Sequence, residues 1–110
     1  MKLSTKTPIC IAGKNEIAVY GLSLLLKHVD KANLSVVCNK TDDGFDSWQP
    51  SLRKAAIENN VTSVSIEDCY QTEGLIFLSL EFDQILSPGK FVNASLYNIH
   101  FSNLPAYKGM

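Results

Sequence analysis

Ile9-Cys10-Ile11-Ala12-Gly13-Lys14-Asn15 is the stretch on which the fold turns. Its four apolar residues read as a short β-type run, and Gly13-Lys14-Asn15 ends that run in a turn. From Asn15 to Asp30 the period changes. Ala18, Leu22, Leu25 and Val29 fall at i, i+4, i+7 and i+11, which is one apolar stripe along a helix. Asn15 stands where an N-cap is wanted. The unit is a strand, a turn and a helix.

Outward from this unit the alternation continues. Leu34 to Cys38 is a second β-type run, and Pro50 to Asn60 a second helix. Pro50 is tolerated at that helix start and Ser51 can cap it, with Leu52, Ala55 and Ala56 facing inward. Asn59-Asn60 suits a left-handed C-cap. Val61 to Ile66 and Leu75 to Ser79 are further β-type runs. Ser87-Pro88-Gly89-Lys90 is a turn, Asn93-Ala94 another break, and Leu96 to Phe101 a final strand. Strands alternating with helices imply an α/β domain with a mainly parallel sheet and helices on its faces, formed by residues 1–110 as one unit.

Composition narrows the function. The chain has 110 residues, 45% apolar and 19% charged, with a formal charge of -1, and its lysines are spread rather than clustered. No basic stripe follows a phosphate backbone, so nucleic acid is not the expected partner. No run approaches the ~20 apolar residues of a membrane span, and the short run at Ile9 to Ala12 is below a signal peptide's apolar core. Cys10, Cys38 and Cys69 lack ligand spacing, so they read as reduced residues of a cytoplasmic protein with no metal. Thr41 to Ser47 carries three aspartates without the alternate-position pattern of a calcium loop, and reads as a solvated turn. The Asn-x-Ser/Thr triplets at Asn33, Asn39, Asn60 and Asn93 mean nothing without secretion.

Chemistry concentrates in Tyr97-Asn98-Ile99-His100-Phe101-Ser102. Side chains alternate along a strand, so Asn98, His100 and Ser102 share a polar face, while Tyr97, Ile99 and Phe101 share a core face. An amide and an imidazole roughly 7 Å apart along a strand can serve one centre, the imidazole taking a proton and the amide bonding a developing oxyanion. The other reading of His100 is a hydrogen-bonded structural histidine. Gly13-Lys14-Asn15 likewise has two readings: a helix N-terminus that meets a phosphate or sugar, or a plain strand-to-helix turn. Trp48 either stacks on a base or packs over the end of the sheet.

The run Asn98-Ile99-His100-Phe101-Ser102-Asn103-Leu104-Pro105-Ala106-Tyr107-Lys108-Gly109 is similar to the Asn-x-His-x-Ser-x-Leu-Pro-x-Tyr-Arg/Lys-Gly signature of the 10-formyltetrahydrofolate-dependent formyltransferases. The order of elements from Ile9 to Met110 resembles the Rossmann-like N-terminal domain of that family. Ile11-Ala12-Gly13-Lys14-Asn15, Asp46-Ser47-Trp48-Gln49-Pro50 and Phe77-Leu78-Ser79-Leu80-Glu81-Phe82-Asp83 resemble its sugar-nucleotide branch. Lys108 stands where many relatives have Arg, keeping the charge without the planar fork.

The resemblance implies an N-formyltransferase that moves a formyl group from 10-formyltetrahydrofolate to the amine of a dTDP-linked amino-deoxy sugar, as used in lipopolysaccharide O-antigen. It makes His100 the general base and Asn98 the oxyanion stabiliser. Folate is expected along Leu78, Ser79, Leu80, Glu81, Phe82 and Asp83, with Ile85 lining the pocket and Leu104 and Pro105 closing it; Phe82 as plain core is the other reading. Gly13, Lys14 and Asn15 are expected to touch the nucleotide sugar. The family's third catalytic residue is an aspartate some tens of residues further on, and Asp30, Asp42, Asp43, Asp46, Asp68 and Asp83 do not match its motif. The expectation is therefore a truncated N-terminal domain, inactive alone, with an exposed sheet edge that favours self-association. The alternatives are a non-catalytic folate- or nucleotide-binding module, and a formyltransferase for glycinamide ribonucleotide or methionyl-tRNA. For a tRNA acceptor the net charge offers no basic surface.

Overall fold

The computed structural model describes residues 6–84 and 86–99. Strands β1 (Ile9–Gly13), β2 (Leu34–Cys38), β3 (Thr62–Ser63), β4 (Leu75–Leu80) and β5 (Ala94–Ile99) form one sheet in the order β3-β2-β1-β4-β5. Every neighbouring pair is parallel. Helices α1 (Asn15–Leu26) and α2 (Leu52–Glu58) cover one face and α3 (Ile66–Tyr70) the other. This is the parallel α/β fold expected from the alternation of elements.

Alternation along the strands builds two cores. Ile9 and Ile11 of β1 meet Ala18 and Leu22 of α1 and Leu52 and Ala56 of α2. Cys10 and Ala12 point the other way, toward Ile66, Cys69 and Phe77. All five residues of β1 are buried, as a central parallel strand covered on both sides requires. The apolar stripe of α1 faces the sheet, with Ala18, Leu22 and Val29 buried and Leu25 packed against them.

Several boundaries differ from expectation. Helix α1 ends at Leu26 rather than Asp30, and Asp30 instead accepts the Ala32 N–H at 3.1 Å to cap a 3-10 turn over Lys31–Asn33. The Val61 to Ile66 run divides into the two-residue β3 and the start of α3. A reciprocal capping box decides this, since the Ser65 hydroxyl accepts the Asp68 N–H and the Asp68 carboxylate accepts the Ser65 N–H. Helix α2 is capped as expected, Ser51 Oγ accepting the Lys54 N–H at 3.0 Å, and Asn60 takes φ 58° beyond its C-terminus.

Phe77 is the largest fully buried side chain, with ring contacts to Phe82 and Phe91 on the α3 face. Cys10 and Cys69 lie between β1 and α3 as free thiols with sulfurs 3.6 Å apart. Cys38 is partly exposed. Replacing Phe77 by Ala should cost about 3–5 kcal/mol through lost burial and an unfilled cavity, read as a lower midpoint in thermal or urea unfolding.

Candidate functional site at the carboxyl ends of the strands

The strand order reverses direction between β1 and β4, and in open α/β sheets ligands bind outside the carboxyl ends of the strands at such a switch point. The expected site residues Gly13, Lys14, Asn15, Leu80, Glu81 and Asn98 all lie at that end. Gly13 pairs with Cys38 on one side and Leu80 on the other. A Cβ on Gly13 would collide with the Leu80 carbonyl oxygen, which also accepts the Lys14 N–H at 3.3 Å. Glycine lets the two strand ends close at this point.

Asn15 is not the N-cap of α1. Lys14 holds that position with extended backbone and no side-chain bond, and Asn15 takes φ 63°. The Glu16 N–H is capped from outside the helix, by the Gln49 Oε1 at 3.3 Å. One donor of the expected phosphate cradle is thus taken by Gln49.

Within the expected folate segment the side chains diverge. Leu80 is buried, and Leu78 packs against the core beneath α1. Ser79 is buried on the opposite face, in line with Phe77 and Cys10. Phe82 is half-buried against Phe77, with ring centroids 6.3 Å apart, so it serves as packing for the α3-side core. Glu81 sits at φ 60°, and its N–H donates to the Ile99 carbonyl at 3.4 Å. Asp83 is exposed and its carboxylate accepts the Lys40 N–H at 3.2 Å.

Asn98 lies opposite Ser79 in the β4–β5 register and is exposed. Its strand neighbours Tyr97 and Ile99 were expected in the core, yet they are 56% and 45% exposed. They share the face of Leu78 and Leu80, but α1 packs over β1 and leaves β5 uncovered. His100, Ile85, Leu104 and Pro105, with Phe101, Ser102 and Lys108, lie outside the described residues.

The residue that sequence reading missed is Asn39. It follows the buried end of β2, is fully buried itself, and reaches the backbone of Glu81 and Asp83. The sequence showed it only as one of four triplets. The usable signal was an amide placed directly after the apolar Val36-Val37-Cys38.

The loop after β2 is held by its aspartates, not merely solvated. Asp42 accepts from the Ser51 hydroxyl at 2.6 Å, the Arg53 N–H at 3.0 Å and the Gly44 N–H at 3.0 Å. Burial pushes its carboxyl up, but the bonds from Ser51, Arg53 and Gly44 and the Arg53 charge outweigh it, holding Asp42 below the usual carboxylate range. Asp46 accepts the Ser51 N–H at 2.9 Å and pairs with Lys54 at 2.7 Å. No metal-ligating group of three or more side chains occurs among the described residues. Trp48, expected either to stack on a base or to pack over the end of the sheet, is 88% exposed and does not cover the sheet; Phe45 in the same loop is 75% exposed.

Two clefts open here. One of about 560 Å³ is lined by Asn15, Glu16, Ile17, Tyr20, Gln49 and Glu81. The other, about 220 Å³, has Lys14, Asn15, Phe45, Trp48 and Ser51 among its lining residues. Left-handed Asn15 belongs to both, and left-handed Glu81 to the larger. Non-glycine residues held at positive φ cost of order 1–3 kcal/mol each and cluster at ligand sites.

No protein-family profile and no curated protein matches the chain. Among solved structures it is similar to WlaRD, a sugar 3N-formyl transferase crystallised in the presence of dTDP and 5-N-formyl-THF. The match has 48% identity and a TM-score of 0.84 over 93% of this chain and 38% of that one. It is also similar to the N-formyltransferase from Helicobacter canadensis in complex with folinic acid and dTDP-3-aminofucose. There the identity is 46% and the TM-score 0.83, over 88% of this chain and 36% of that one. The chain therefore spans less than two fifths of either relative's length, in their N-terminal part.

The lowered Asp42 carboxyl makes a pH prediction. Its contribution is fully present above the unfolded value near ~3.9 and is lost as pH falls through the lower folded value. Asp42→Asn should lower the melting temperature at neutral pH, by the equivalent of about 1 kcal/mol or less, since solvent screens this partly exposed carboxylate and the amide keeps one acceptor oxygen. The gap to wild type should shrink as pH falls below about 4, measured by melts across a pH series.

Proposed function

We propose, from the premise that the chain belongs to the formyltransferase family as a segment of the sugar N-formyltransferase kind, that it binds formyl-folate at the strand ends and supplies part of the machinery of formyl transfer to a nucleotide-linked amino sugar. The carrying observation is the 48% identity over 93% of the chain to an enzyme crystallised with dTDP and formyl-folate, on a fold whose strand ends meet at the switch point. The co-substrate is 10-formyltetrahydrofolate, and the acceptor is the amine of a dTDP-linked amino-deoxy sugar destined for a surface glycan such as O-antigen.

The amine nitrogen attacks the formyl carbon, forming the new C–N bond. The tetrahedral intermediate then expels tetrahydrofolate as the bond to its N10 breaks. His100 takes the proton from the amine and passes it to the departing N10, and Asn98 donates a hydrogen bond to the oxyanion. Asn98 is suited by position, since it is exposed at the end of β5 beside the 78–83 segment. The nucleotide sugar lies in the clefts bounded by Lys14 and Asn15, with exposed Trp48 and Phe45 as aromatic surfaces for the base. Free thiols at Cys10, Cys38 and Cys69 fit a reducing cytoplasmic setting, and no helix among the described residues is long and apolar enough to cross a membrane.

Titration with folinic acid by calorimetry should show saturable binding; absence of binding overturns the folate reading. Adding 10-formyltetrahydrofolate and a dTDP-3-amino sugar then separates an enzyme from a binding module. Product gaining one CO by mass spectrometry is the enzyme, whereas binding without product favours the module. Where product forms, Asn98→Ala should lower its formation by about 10²–10³-fold and leave folinic acid affinity unchanged.

The exposed Tyr97 and Ile99 on β5, the outermost strand beside β4 among the described residues, favour self-association through this edge. Light scattering should report a mass that rises with concentration; a monomer at the highest concentration overturns association.

A further inference from the structure

We propose that Asn39 is a positioning residue that holds the Glu81–Asp83 loop in the one backbone conformation able to receive the folate ring; the inference rests on the folate reading above. The register sets up the contact. Cys38, Gly13 and Leu80 stand in one row across β2, β1 and β4. One residue further on, Lys14 turns away into α1, so Asn39 and Glu81 face each other across two strand spacings of about 4.8 Å each. The Asn39 side chain fills that gap at the floor of the switch point.

Its amide is fully buried, where an unpaired polar group is costly. Both ends of the amide are spent on the loop. Asn39 Nδ2 donates to the Glu81 carbonyl at 3.4 Å, and Asn39 Oδ1 accepts the Asp83 N–H at 3.3 Å. A third tie comes from the adjacent Lys40 N–H to the Asp83 carboxylate at 3.2 Å. A carbonyl and an N–H two residues apart must both turn toward β2, which a loop can satisfy only by reversing at its first residue. That residue is Glu81 at φ 60°, whose N–H is held from the other side by the Ile99 carbonyl. Asn39 therefore offsets the cost of a left-handed glutamate and fixes how the backbone between Leu80 and Asp83 faces the cleft.

A ligand recognised through backbone groups feels this as a population effect. Its apparent Kd is the intrinsic value divided by the fraction of molecules in the competent conformation. Asn39→Ala removes both bonds. Asn39→Asp keeps the acceptor for the Asp83 N–H and sets a carboxylate oxygen against the Glu81 carbonyl. Both variants should bind folinic acid at least about tenfold more weakly, as a competent fraction near one tenth requires, while dTDP affinity changes less than about twofold. A merely structural role would weaken both ligands together and overturn the proposal, as would unchanged folinic acid affinity.

Wild-type titration separates the two layers. A wild type that binds no folinic acid sinks the folate reading and this inference with it, whereas a binding wild type with unaltered variants sinks this inference alone. Where neither variant folds, amide exchange on the wild-type chain decides. Protection of the Asp83 amide supports the clamp, and exchange at the rate of a free loop amide overturns it.

Discussion

The site depends on how closely β1 and β4 approach each other at their carboxyl ends. Leu80 brings its carbonyl oxygen against the α-carbon of Gly13 and accepts the Lys14 N–H, leaving no room for a side chain on β1. With that contact closed, the two chains must part immediately beyond it, Lys14 and Asn15 rising into α1 and Glu81 turning back toward β5. The parting makes the crevice. Both exits pass through a left-handed residue, Asn15 and Glu81, and neither is glycine. Asparagine tolerates that region through its short polar side chain, whereas glutamate does not and needs outside support. The support is asymmetric: Asn39 and Ile99 hold Glu81 from its two sides, while Gln49 caps the Glu16 amide just beyond Asn15.

The polar loop between β2 and α2 is organised by the same economy. Asp42 takes three donors from Gly44, Ser51 and Arg53, and Asp46 takes the Ser51 N–H and the Lys54 ammonium. The bonds to Ser51 and Arg53 anchor the loop to the first turn of α2. Its intervening residues, Phe45 and Trp48 among them, are thrown outward as exposed aromatics. Aromatic exposure on this scale is a cost in an isolated fold, and it is a resource where a planar ligand can cover it.

Much of this architecture was legible in the sequence because it rests on periodicity. The apolar run at Ile9 to Ala12, the stripe from Ala18 to Val29, and Ser51 before Leu52 each obey a local rule, and the fold honours them. Helix α3 escaped because five residues give no period; only the Ser65 and Asp68 pair marks it, and the β-branched Val61, Thr62, Val64 and Ile66 mask that pair. The end of α1 escaped because Val29 continues the apolar stripe after the helix has stopped, and Asp30 begins a separate capped turn. In the candidate site, Gly13 and Asn98 were named from the strand-to-helix turn and from the alternation along β5, and Glu81 through family resemblance. Asn39 gave only the faint signal of an amide after Val36-Val37-Cys38, since its contacts lie 42 and 44 residues away and no short spacing encodes them.

The outward turn of Tyr97 and Ile99 follows from strand pairing rather than from their own character. In a parallel sheet the register copies the face of one strand onto the next, so Tyr97 inherits the side of Leu78 and Ile99 that of Leu80. On β4 that side is sheltered by α1, whose Gly21 sits directly over Leu80. One strand spacing further out the helix no longer reaches. The same register puts Asn98 beside Ser79, on the face where Phe77, Phe82 and Phe91 form a tight aromatic wall. The two faces of β5 therefore differ in their surroundings, the Tyr97 and Ile99 side left bare where α1 no longer reaches and the Asn98 side set next to the aromatic cluster of the α3 face.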